Sequence, residues 1–304
     1  MRHRPLGKTG LTVSSMGFGV SGALASPLVS SADVKKLVHA AVDGGITFFD
    51  TGPSYGDGAA EERLGEAIYG INRNKVIIST KVGTFTGRLG RPYKDFSKKA
   101  ILRSVDESLS RLNMRYVDLL LLHGPEAIMP ETYDALYELK HAEKTRFVGV
   151  CGRAEELDAP IKTGQFDVVM LPFHMGTGRI ERNRIIEASH RDMGIIGFET
   201  MMPLRILNPH HEISKPADLW YVARDMFKPK PRLPERQPYD FLERFAGWNP
   251  AELSLGYALS EAALSCSMIT TTKLDHLQQC LRVPERDLPA GFTAQVEISR
   301  FTSI

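Results

Sequence analysis

Short apolar runs alternate with longer segments of helical spacing along most of the chain. "LTVSSMGFG" (11–19) predicts one or two short strands. "SADVKKLVHAAVDGG" (31–45) predicts a helix that Ser31 caps and Gly44-Gly45 ends. "ITFFD" (46–50) is the next strand, followed by a helix in "AEERLGEAIYG" (60–70) and a strand in "KVIISTKVG" (75–83). "SKKAILRSVDESLSRLNM" (97–114) carries apolar residues at 101, 102, 105, 109 and 112, which is helical spacing. "YVDLLLLHG" (116–124) has the unbroken apolar character of a strand buried on both faces. Helix and strand continue to alternate through 131–144, 146–152, 153–162, 166–173, 184–192 and 194–200. After an irregular stretch at 203–249, a helix at 250–264 opens on a proline, and a strand (267–272) and a helix (275–281) follow.

Such alternation, with each strand short and apolar, predicts a parallel sheet. About eight strand–helix units in 304 residues favour closure into a (β/α)8 barrel. No composition shift marks a domain boundary, so residues 1–304 are expected to form a single barrel domain. The stretch 203–249 is too long for an ordinary connection and reads as an insertion between strands 7 and 8.

Composition narrows the function classes. A 42% hydrophobic and 24% charged chain is globular rather than disordered. A net charge of +2, without long blocks of one sign, leaves no electrostatic footprint for nucleic acid. The most basic stretch, "KPKPRLPER" (228–236), reads as a solvated loop or as an attractor of an anionic ligand. Three cysteines form no disulfide framework, no apolar run is long enough to span a bilayer, and no secretory h-region follows "MRHRPLGKTG". The expectation is a cytoplasmic protein without membrane or nucleic-acid partners. No metal-ligand spacing occurs.

"GFGVSG" (17–22) spells a dinucleotide-binding turn, with Asp43 about twenty residues on. That turn needs a helix opening at its glycines, so that the helix N-terminus meets the pyrophosphate. Here "ALASPLVSS" intervenes and Asp43 sits at a helix end, so the spelling is set aside.

Active sites of such barrels collect at the C-terminal ends of the strands. There stand Asp50 with Tyr55 just beyond, Lys81, His123, Cys151, Phe173 with His174, and Glu199 with Thr200. Singly, each has a bland explanation: a capped turn, a solvated strand end, a satisfied histidine. Together, a carboxylate, an ammonium and an imidazole at the rims of three successive strands come within reach of one another.

The arrangement resembles the aldo-keto reductase family. The matching stretches are "LGKTGLTVSSMGFG", "FFDTGPSYGDGAAEERLGEAI" (48–68), "VIISTKVG" (76–83), "YVDLLLLHGPE" (116–126), "FVGVCG" (147–152) and "NPAELSLGYAL" (249–259). The resemblance implies a catalytic tetrad of Asp50, Tyr55, Lys81 and His123. Tyr55 gives the proton to a carbonyl oxygen, Lys81 eases ionisation of the phenol, Asp50 holds Lys81, and His123 orients the oxygen. It also implies NADP(H) and a small carbonyl or alcohol substrate. Cofactor contacts fall on Gly19, Val20 and Asp50, and on Cys151-Gly152 where the family has Ser-Asn. Met170 stands for a glutamine, and Phe173 for a tyrosine that stacks on the nicotinamide. Met202 and Leu204 stand in a Ser-Pro-Leu position, and Thr271 and Lys273 follow the last strand, with Lys273 or His276 facing a phosphate.

Because an amide and a hydroxyl are replaced at these contacts, two other classes stay open. One is a lyase, dehydratase or isomerase using the same four residues as acid–base groups. The other is a non-catalytic binding or regulatory subunit. Trp220, Tyr221, Phe227 and Trp248 either line an apolar substrate pocket or pack the insertion onto the barrel. Cys151 touches cofactor or substrate, or is a small buried strand residue. Substrate identity and oligomeric state have no sequence signal.

Overall fold

A computed structural model of the chain describes residues 1–88, 91–202, 213, 215–227 and 239–301, the side chains of 224–227 and 301 aside. A hairpin of β1 (His3–Pro5) and β2 (Thr12–Ser14) comes first and lies outside the barrel sheet. The barrel strands are β3 (Met16–Gly19), β4 (Phe48–Asp50), β5 (Ile77–Val82), β8 (Val117–His123), β9 (Thr145–Cys151), β10 (Val168–Pro172), β11 (Gly194–Phe198) and β12 (Cys266–Ile269). A second hairpin, β6 (Thr84–Thr86) with β7 (Pro92–Lys94), follows β5. The eight barrel strands pair in parallel and in chain order, and β12 returns to β3 to close the ring.

Strand parity divides the side chains into two apolar layers, because successive residues point to opposite faces. Phe48, Leu119, Leu121, Cys151, Val168, Met170, Ile196, Cys266 and Met268 fill the barrel interior. Phe18, Phe49, Ile78, Leu120, Leu122, Val150, Val169, Leu171, Phe173 and Ile195 face the surrounding helices. Leu6 and Val13 of the first hairpin are fully buried in the interior cluster and floor the barrel at its N-terminal end. At Gly149 an added Cβ would lie 2.5 Å from the Val168 carbonyl oxygen and 2.7 Å from the Leu121 side chain, so no larger residue fits between these strands.

The helix spanning Ser31–Asp43 is capped one residue earlier than its sequence suggests: Ser30 Oγ accepts from the Asp33 N–H at 3.1 Å. The helix Pro250–Ser260 begins with a reciprocal capping box between Asn249 and Glu252. After β3 comes only a 3-10 turn, Gly22–Ala25, and no α-helix opens at the glycines of "GFGVSG". The stretch expected to be irregular, 203–249, contains a helix, Pro216–Phe227, and a 3-10 turn, Asp240–Arg244. Trp220 of that helix packs on Gly22, where an added Cβ would lie 3.0 Å from the indole. Trp248 lies elsewhere, with the Arg286 guanidinium 3.7 Å above its ring. The Phe227 side chain lies outside the described residues. No helix among the described residues is long and apolar enough to cross a membrane.

Candidate active site

The parity that fills the barrel also aims its polar strand ends. Asp50 follows inward-facing Phe48 by two residues on β4, and Ser79 and Lys81 share one face of β5. His123 extends the inward series Leu119, Leu121 on β8. Lys81 is 1% exposed, and its ammonium donates to Asp50 Oδ2 and, at 2.8 Å, to the Thr51 carbonyl. Ser79 Oγ donates to the other Asp50 oxygen at 2.6 Å. Both carboxylate oxygens are thus occupied from the neighbouring strand, which fixes the charge that faces Lys81.

Tyr55 reaches the same spot from the turn after β4. Its ring lies 4.9 Å from Lys81 Nζ and stands edge-on to the His123 imidazole, with 5.8 Å between centroids. Burial pushes the Tyr55 phenol up to about 12, against the opposing pull of the Lys81 charge. Burial lowers the Lys81 ammonium, but the Asp50 carboxylate and Tyr55 outweigh it and leave the group raised. His123 is driven down to about 3, first by burial and then by the charges of Lys81, Arg153 and Lys94. The imidazole is therefore neutral at neutral pH and has one N–H to give. Ser54 Oγ stands 3.5 Å from His123 Nδ1, and Thr84 Oγ1 donates to the His123 carbonyl at 2.7 Å.

The expected cofactor contacts fall at different places. Gly19 packs closely on Thr270, where an added Cβ would meet Oγ1 at 2.7 Å. Val20 is fully buried, and its N–H donates to the Asp50 carbonyl at 2.8 Å. Cys151 faces the barrel interior beside Met170, and burial raises its thiol to about 12, so it is a neutral wall residue. Gly152 donates its N–H to the Met170 carbonyl at 3.1 Å. Met202 donates its N–H to the Glu199 carbonyl at 2.8 Å, and Leu204 lies outside the described residues. Thr271 lines a cavity beyond β12, while Lys273 Nζ lies 3.6 Å from an Asp218 carboxylate oxygen.

Phe173 does not occupy the place expected of a stacking ring. By parity it faces the helices, is 1% exposed, and stacks on Tyr257 at 6.1 Å. The aromatic that faces the mouth is Phe198, at the inward end of β11 and in register with Pro172. The Arg153 guanidinium lies 4.7 Å over its ring and bridges to Glu199 at 2.6 Å. The signal was present in the sequence: Phe198 shares the face of Ile196, whereas Phe173 shares that of Leu171.

A cavity of about 720 Å³ lies beside Met201 and the end of β12. It reaches the N-terminal end of the helix Pro250–Ser260 and is flanked by His276, Gln279 and Cys280 of the helix Leu274–Arg282. Its size is that of a small-molecule or cofactor site. The N-terminus of the helix Pro250–Ser260 on its wall suits an anionic group. No group of three or more His, Cys, Asp or Glu among the described residues could hold a metal ion.

A parallel eight-stranded barrel with an Asp–Lys–Tyr–His set at its C-terminal mouth is the architecture of barrel oxidoreductases. The chain belongs to the aldo/keto reductase family, whose sequence profile matches residues 15–300. It is 37% identical over 186 residues to L-galactose dehydrogenase of Arabidopsis thaliana, covering 57% of this chain and 56% of that protein. It is 28% identical over 215 residues to the NADH-specific methylglyoxal reductase of Escherichia coli, covering 64% and 65%. The match thus spans between half and two thirds of these curated relatives. The fold superimposes with a TM-score of 0.78 on an aldo-keto reductase of Bacillus halodurans in its holo form, at 23% identity, covering 98% of this chain and 96% of that one.

Proposed function

We propose that the chain is a nicotinamide-dependent oxidoreductase that interconverts an aldehyde or ketone and its alcohol, with Tyr55 as proton donor. One observation carries this reading: the buried Lys81–Asp50 pair lies against the ring of a phenol that also meets a neutral imidazole. A bound nicotinamide supplies the hydride to the carbonyl carbon, or takes it back. The remaining work belongs to the chain. His123 donates its one N–H to the carbonyl oxygen and fixes its position. Tyr55, protonated at neutral pH, passes its proton to that oxygen as negative charge develops there. The Lys81 ammonium stabilises the phenolate left behind, and Asp50 with Ser79 keeps the ammonium in place. In the reverse direction the same phenolate takes the proton from the alcohol.

The family resemblance implies NADP(H), and the Phe198 ring is the surface on which the nicotinamide would lie. The alternative lyase, dehydratase or isomerase reading gains nothing from the relatives named above, which carry oxidoreductase names. A titration decides: NADH or NADPH should quench the fluorescence of Trp220 and Trp248, and a carbonyl substrate should then oxidise the bound coenzyme. Failure of both coenzymes to bind at high micromolar concentration would sink the reading.

A further inference from the structure

We propose that Ser54 is a positioning residue: its hydroxyl donates to Nδ1 of His123 and so holds the imidazole proton on Nε2, the nitrogen that meets the substrate oxygen. Only the last clause rests on the oxidoreductase reading above, since the nitrogen that carries the proton can be identified without a substrate. Ser54 Oγ stands 3.5 Å from His123 Nδ1. That is the long end of hydrogen-bond range, and contacts of this kind in open active sites tighten when a substrate is bound.

The segment that carries Ser54 is held firmly on both sides. After Asp50 ends β4, the Tyr55 N–H donates to the Gly52 carbonyl at 3.1 Å, which closes a four-residue turn from Gly52 to Tyr55. Pro53 takes its second position, where the fixed φ of proline suits such a turn. Before the turn, the Thr51 N–H donates to the Ser79 carbonyl and its Oγ1 to the Val20 carbonyl, both at 3.1 Å. After it, the Tyr55 carbonyl accepts from the Ala60 N–H at 3.2 Å. Ser54 and Tyr55 are consecutive, so one turn delivers both the acid and the group that aligns the imidazole. The other partner is fixed as well: Thr84 Oγ1 holds the His123 carbonyl at 2.7 Å, and the ring stands edge-on to Tyr55.

A neutral imidazole has one donor nitrogen and one acceptor nitrogen, and the partner of one decides the role of the other. Burial and the charges of Lys81, Arg153 and Lys94 keep His123 in that neutral form. Among the described residues Nδ1 has Ser54 as its hydrogen-bond partner and Nε2 has none. Ser54 Oγ likewise has no second partner among them, so Nδ1 is the acceptor at hand for its hydrogen. With the proton on Nδ1 instead, the Ser54 hydrogen loses that acceptor. Nε2 would then present a lone pair to a carbonyl oxygen, and two acceptors would face each other. The wrong tautomer thus forfeits the Ser54 bond and the N–H that orients the substrate at one stroke.

Nitrogen NMR of the full chain with isotope-labelled histidine reads the tautomer directly, His123 being assigned by the signals lost in His123→Gln. At neutral pH the native spectrum should show a bare Nδ1 and a protonated Nε2. In Ser54→Ala the share of the Nδ1–H form should rise by about three- to tenfold, at an unchanged melting temperature. Ser54→Thr keeps the hydroxyl and should restore the native spectrum. Turnover of benzaldehyde with NADH or NADPH gives the second readout. Ser54→Ala should lower kcat by about three- to tenfold with KM within about twofold, and Ser54→Thr should recover it. A native His123 with its proton on Nδ1, or a Ser54→Ala spectrum identical to the native one, overturns the proposal. So does a raised KM at unchanged kcat, which makes Ser54 a wall of the substrate pocket. A native chain that turns over no carbonyl with either coenzyme counts against the oxidoreductase reading, and the spectra still decide the role of Ser54.

Discussion

In the proposed mechanism, Tyr55 and His123 divide the proton chemistry between two neutral groups held beside one buried cation. Replacing Tyr55 with Phe keeps the ring against Lys81 and removes the acid, so turnover should fall by about 10²–10⁴ with the circular dichroism spectrum unchanged. Near-normal turnover would remove Tyr55 as the donor. His123 has a consequence for stability. Its native-state pKa of about 3 lies below the ordinary 6.5, so between those values the unfolded chain binds a proton that the native chain refuses. Native stability must therefore fall as pH drops from 6.5 toward 3, and His123→Gln should flatten that slope by up to one proton. Urea midpoints measured between pH 7 and 4 for both proteins check this. The two aromatics near the mouth make a matched pair. Phe198→Ala should weaken coenzyme binding with little effect on the fold. Phe173→Ala, in the outer core, should instead cost about 3–5 kcal/mol of stability. Denaturation and coenzyme titration of the two variants separate these effects.

At the scale of elements, strand parity explains what could be read beforehand and what could not. Asp50, Lys81 and His123 were legible because each is a polar residue ending an apolar run, and a barrel gathers such ends at one rim. The eight barrel strands were legible for the same reason. Phe198 was missed in favour of Phe173 because both end apolar runs, and only the inward series Met170 and Ile196 tells their faces apart. The hairpin at 84–94 is short and polar, with Pro92 inside it, and gives no periodic signal. The 3-10 turn Asp240–Arg244 is equally silent, because its spacing of three is visible only once the backbone is known. Parity also sets the sign of a substitution. A glycine inside a strand is ordinarily worse than alanine. At Gly149 the new methyl would meet the Val168 carbonyl at 2.5 Å, a backbone atom that cannot swing away. Gly149→Ala should therefore destabilise by about 1–3 kcal/mol in urea denaturation, against the propensity rule.

Across the whole molecule, the floor of the barrel is tied to its outer layer by one side chain. The Arg4 guanidinium donates to the carbonyls of Leu259, Glu261 and Leu264 at 2.6, 2.8 and 2.7 Å, where the helix Pro250–Ser260 ends. Its charge also suits the negative end of that helix. Arg4→Ala should lower stability by at least about 1.5–3 kcal/mol, one charged hydrogen bond's worth, while coenzyme affinity stays near the native value, since the mouth is at the opposite end. A melting curve and a coenzyme titration check the two halves of that expectation.

The seam of the barrel has a consequence for how the chain is made. Ser267 pairs with Met16 and Ile269 with Phe18, so the first barrel strand waits for the last. All four residues of the tetrad leave the ribosome early, yet the ring that holds them is still an open sheet with two bare edges. Nascent chains stopped before residue 266 should be caught by chaperones or cleaved by proteases, and should become resistant once β12 has emerged.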